Sequence, residues 1–173
     1  GGTWAAGTPR RTDLRARNQP QVLLQPPSLP ADLAGDALMT DPGPETLDPA
    51  DAESTDVDEG ITTAELGPLA LSGITAPTLT WWAWHSAVVL DRFNARVLDA
   101  VGDDLVVEVR VDDGAWVEVD RVADNPYAWM FRSADLAPLV PAEGATHVRI
   151  RVTARDEGPE QNPVEAAVVG MAL

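Results

Sequence analysis

Carboxylates at alternate positions are the first chemistry the chain offers: Asp56, Asp58 and then Gly60. Calcium loops use this spacing, because the ion takes several hard oxygens and the backbone must curl around it. Asp51 and Glu53 stand near enough in sequence to add ligands. The complete EF-hand pattern is absent, so the competing reading is an acidic loop that stays solvated ahead of a strand. Trp81, Trp82 and Trp84, with His85 behind them, gather half of the six tryptophans into four positions. Flat rings stack on the apolar faces of sugars, and they also fill cores. Trp116 and Trp129 fall on separate predicted strands, where Trp serves a core or an interface equally well.

Catalytic chemistry has little to stand on. The chain has no Cys and only two histidines, His85 and His147. Thiolate nucleophiles, disulfides and thiolate metal sites are therefore excluded together. No Gly-x-Ser-x-Gly elbow, His-Glu-x-x-His helix or glycine-rich phosphate loop occurs. His85 beside carboxylates would suit a transition metal, although an ordinary strand histidine is the plainer reading. The pairs Asp103-Asp104 and Asp112-Asp113 fall at predicted turns. In so acidic a chain, assigning a glycosidase mechanism to any two carboxylates would be arbitrary. The expectation is a protein that is not an enzyme.

The net charge is -16, every cation is Arg, and there is no Lys. Nucleic-acid partners are excluded on that balance, since their binding rests on cations neutralising phosphates. No basic residue occurs between Asn18 and Asp91, whereas carboxylates recur throughout that span. Such a run must lie in water or hold a cation, and Arg10, Arg11, Arg15 and Arg17 could neutralise part of it. No apolar run is long enough to span a membrane, and no signal peptide is present. The first residue is Gly rather than Met, which suits a processed product or part of a longer chain.

The elements that must position these residues read as strands. Alternation over 77–87 puts Thr80, Trp82 and Trp84 on one face and Leu79, Trp81, Ala83 and His85 on the other. The first set is expected to form the inner wall, with Trp81 and His85 on the exposed face. The clearest signal is a hairpin, with strands at 105–111 and 115–119 around Asp112-Asp113-Gly114. Further strands are predicted at 2–6, 21–24, 37–40, 62–66, 128–132, 147–154 and 164–171. Gly67-Pro68-Leu69 is expected to turn the chain, and 88–100 to cross the sheet as a loop or helical turn. With 10–36 a proline-rich excursion and 41–60 an acidic loop, the expectation is one all-β domain over 1–173. Its predicted form is an antiparallel two-sheet β-sandwich or jelly roll.

Several pieces occur in a familiar order: Gly2-Thr3-Trp4 with Gly7-Thr8-Pro9, Ala37-Leu38-Met39-Thr40, Asp56-Val57-Asp58-Glu59-Gly60 leading to Leu66, and Trp81-Trp82-Ala83-Trp84-His85-Ser86. Val107-Glu108-Val109, Asp113-Gly114, Trp116, Val148-Arg149-Ile150-Arg151-Val152, Asp156 and Val164-Glu165-Ala166-Ala167-Val168 follow. In this order the chain resembles the β-sandwich accessory domains of large secreted bacterial proteins and peptidases. These are related to MAM-type and immune-inhibitor-A-type jelly rolls of the concanavalin or galactose-binding kind. The resemblance implies a non-catalytic extracellular or cell-surface module for protein–protein adhesion or assembly. The alternative it implies is a carbohydrate-binding accessory domain of a secreted hydrolase. Two places depart from the pattern. Val169 and Gly170 stand where such domains carry an Asp-Asp pair, which weakens the calcium reading, and strands that usually precede the Gly-x-Trp segment are missing. A sandwich short of its first strand has an open edge, which a preceding segment or a neighbouring subunit would complete by strand pairing.

Overall fold

The computed structural model describes residues 3–9, 12–14, 22–26, 28–40, 46–47, 60–91, 96–99, 103–123, 127–142, 144–157 and 164–173. Apart from a 3-10 turn at Ala137–Leu139, every regular element among them is a strand. In chain order these are β1 (Trp4–Gly7), β2 (Thr12–Leu14), β3 (Val22–Gln25), β4 (Ala37–Thr40), β5 (Thr46–Leu47), β6 (Gly60–Ala70) and β7 (Thr78–Asp91). They continue with β8 (Arg96–Asp99), β9 (Asp104–Val111), β10 (Val117–Val122), β11 (Met130–Asp135), β12 (His147–Asp156) and β13 (Val164–Ala172).

Two antiparallel sheets pack against each other as an all-β sandwich. The first runs β1-β4-β13-β7-β11, with β8 also on β7, and the second runs β10-β9-β12-β6. The core between them follows from strict alternation on the central strands. Leu105, Val107 and Val109 of β9 lie opposite Ala154, Val152 and Ile150 of β12. They meet Leu79, Trp81 and Ala83 of β7 and Val164, Ala166 and Val168 of β13. Trp81 removes on the order of 200 Å² from water, about 5 kcal/mol of hydrophobic stabilisation before ordering costs. A small third sheet, β3-β2-β5, joins residues of the proline-rich and acidic segments.

Gly114 donates to the Val111 carbonyl and closes the β9–β10 turn. The Asp112 carboxylate pins the turn to β12, accepting from the Thr146 hydroxyl at 2.6 Å and the His147 amide at 3.0 Å.

Three local expectations are corrected. Strand β6 passes through Gly67-Pro68 rather than turning, with the register slipping between Val148 and Ile150 of β12. Gly67 takes φ +100° there, and Pro68 is tolerated because, among the described residues, β6 is the edge strand of its sheet. Strand β7 extends to Asp91 and pairs with β8 where a loop or helical turn was expected. Strands β2 and β5, at three and two residues, are too short to show alternation, and pairing across the sequence makes them. No helix among the described residues is long and apolar enough to cross a membrane.

Candidate functional site

The tryptophan strand β7 buries side chains on both faces between Leu79 and Ala87, and its faces are the reverse of the expected ones. Trp81 is 0% exposed and belongs to the core between the sheets, with Leu79, Ala83 and Ala87. His85 shares that parity and is also 0% exposed. Neither can be a surface binding residue. The alternation was legible, but the facing sheet decides which side is inner, and both sides of this strand are bulky. Trp84 is buried too, on the opposite face, among Ala37, Met39, Ala167 and Val169.

Trp129 helps to cover that opposite face. Its ring meets Trp84 edge-on at 6.1 Å, and its Nε1 donates to the Ser28 carbonyl at 2.7 Å. It thereby ties the segment carrying Leu29 and Leu33 over the first sheet. Thr40 ties the end of β4 to β13: its hydroxyl donates to Glu165 Oε2 at 3.0 Å and accepts from the Ala166 amide at 2.9 Å.

The cover stops short at the β11 edge. Phe131 stands directly opposite Trp82 across the β7–β11 ladder and is 58% exposed. The two rings meet edge-on, 5.4 Å apart at 65°. Trp82 is half-buried, and Gly170 lies beside both it and Leu33. A Cβ at Gly170, where φ is +66°, would stand 3.2 Å from Leu33 Cδ1 and 3.9 Å from Trp82 Cδ1. Ser133 and Asp135, both exposed, follow Phe131 at alternate positions and give the rings a polar border. Among the described residues β11 pairs only with β7, so its outer side offers unpaired backbone groups. Sequence reasoning placed a strand here but passed over Phe131, because one Phe among polar neighbours carries no distinguishing pattern.

Trp116 occupies the outer face of the second sheet. The guanidinium carbons of Arg110 and Arg151 lie 4.8 Å and 4.5 Å from its ring centre. Arg151 grips Glu108 through two hydrogen bonds of 2.8 Å, and these raise its pKa further. Nearby, Arg121 holds Glu118 through Nε at 3.0 Å and Nη2 at 2.6 Å and also binds Asp104, which raises its pKa.

Asp51, Glu53, Asp56 and Asp58 lie outside the described residues. Among the described residues no group of three or more His, Asp or Glu side chains is placed to hold a metal ion. The structure thus separates the four tryptophan-strand and surface candidates: Trp81 and His85 in the core, Trp129 in the cover of the first sheet, and Trp116 on the second. In comparisons with known proteins, no family model matches the chain and no curated protein matches its sequence.

Proposed function

We propose that the chain is a non-catalytic β-sandwich module of an exported or cell-surface bacterial protein, acting in protein–protein adhesion or assembly through the β11 edge. The observation that carries this reading is Phe131, 58% exposed on an edge strand with its ring against Trp82. Natural edges are usually blunted by charge, proline or cover, since an open edge is a template for another strand. Here the edge keeps an aromatic anchor. A partner strand laid along β11 would gain main-chain hydrogen bonds and bury Phe131, and the side chains of alternate residues would set its specificity. Phe and Trp are enriched in interface cores, which supports a protein partner. The likeness to secreted jelly-roll accessory domains supports the exported setting.

The carbohydrate-binding reading draws on the same rings with Ser133 and Asp135 beside them. It ranks second because the rings stand at 65°, and a sugar face stacks best on a flat platform. The test is retention of protein partners from the native extracellular fraction on immobilised wild-type chain and on Phe131→Ser. Partners held by the wild type and lost from a folded Phe131→Ser support the assembly reading. Equal retention counts against it, and glycan-array binding that Trp82→Ala removes would transfer the surface to carbohydrate. Calcium at the Asp51 to Asp58 carboxylates remains part of the proposal, and its test is a rise in melting temperature on adding calcium that Asp56→Asn abolishes.

A further inference from the structure

Arg110 of β9 and Arg149 of β12 are direct cross-strand partners. Like charges in that relation repel. The chain holds 28 acidic residues against 12 basic ones, so carboxylates to separate the two arginines are plentiful. Elsewhere in the second sheet and at its borders they are used. Arg121 binds Asp104 and Glu118, Arg151 binds Glu108, and Arg155 approaches Asp104 and Glu157. Neither Arg110 nor Arg149 has a carboxylate partner among the described residues, and Arg110 Nε is shut off from solvent without a hydrogen-bond acceptor. Both residues are half-buried.

We propose that Arg110 and Arg149, with the ring of Trp116, form a binding site for a single carboxylate, the side chain of one Asp or Glu in an otherwise uncharged peptide segment of a protein partner. Guanidinium groups present paired N–H donors that match the two oxygens of a carboxylate. Trp116 holds Arg110 in place from one side and offers an apolar surface beside the charge.

The charge of the patch selects the occupant. Arg151 is shared between Glu108, which it grips, and Glu65, its cross-strand neighbour on β6. Glu118, opposite Glu108 on β10, is itself held by Arg121, so Arg110 and Arg149 remain the arginines of this patch that no described carboxylate engages, and one carboxylate can bridge the two. A polyanion would bring many further charges toward a protein of net charge -16, whereas a lone carboxylate brings one and can meet both guanidinium groups directly. The site is on the sheet opposite the β11 edge, and the proposal stands apart from the reading of that edge.

The experiment follows the Arg Nε–H signals of the full chain by NMR during titration with a blocked tripeptide holding one glutamate, its glutamine counterpart, and inorganic phosphate. The expected result is saturable movement of the Arg110 and Arg149 signals with the glutamate peptide alone. Arg149→Gln should weaken that binding about tenfold while the backbone amides keep their sandwich pattern. Arg110→Gln serves the same purpose if Arg149→Gln does not fold. The proposal is overturned if the glutamine peptide moves the signals equally, if neither arginine responds, if a folded variant binds as the wild type does, or if phosphate binds more tightly than the glutamate peptide.

Discussion

Arg132 of β11 and Asp120 of β10 hold each other across the gap between the sheets through two hydrogen bonds, Nε to Oδ2 at 2.7 Å and Nη2 to Oδ1. Strands β11 and β10 are edge strands of different sheets, so the pair clasps one side of the sandwich. It also fixes the strand that presents Phe131, since Arg132 and Phe131 are neighbours on opposite faces of β11.

Breaking that clasp should lower stability modestly. Arg132 is 35% exposed, so solvent screens the pair, and its coupling to Asp120 should be about 1 kcal/mol. A double-mutant cycle of Arg132→Met and Asp120→Asn in urea unfolding measures it. Strictly additive single effects would show that the two hydrogen bonds contribute nothing together.

The reversed faces of β7 separate two aromatic substitutions. Trp81→Ala should cost about 3–5 kcal/mol, as a large side chain leaves a cavity in the core. Phe131→Ser should cost under about 1 kcal/mol, because more than half of that ring is already in water. Urea unfolding of both variants checks the contrast. Similar losses would contradict the assignment of Trp81 to the core and Phe131 to the surface.

Acid should weaken the hairpin through Asp112. The Thr146 hydroxyl, then the His147 amide, hold the Asp112 carboxylate below its usual range. A depressed folded-state pKa gives stability that is fully present above the unfolded value of about 4 and is lost as pH falls through the folded one. The stability difference between wild type and Asp112→Asn should therefore shrink as pH drops below about 4, with Thr146→Val narrowing it at neutral pH. A difference that stays constant down to the acid limit would show that the carboxylate's charge is not what matters.

Much of the fold was legible because β9 and β12 alternate apolar and charged residues and Asp112-Asp113-Gly114 marks a hairpin. The site was less so. Thr80 to His85 is bulky on both sides, so alternation identified two faces without saying which one the second sheet would cover. Arg110 and Arg149 are 39 positions apart in the numbering, and only strand register brings them opposite each other. Phe131 became conspicuous only through its exposure, which depends on where the segment carrying Leu29 and Leu33 ends its cover of the first sheet.

Site-specific photo-crosslinking tests the proposed recognition edge most directly. A photoreactive p-benzoylphenylalanine takes the place of Phe131 in the chain expressed in its native host, and a second preparation carries it at Ser72, exposed in the β6–β7 connection. The account predicts a discrete protein adduct from position 131 that position 72 does not give, and that Trp82→Ala diminishes. A folded chain that forms no protein adduct at 131, or gives the same adducts from both positions, would contradict it.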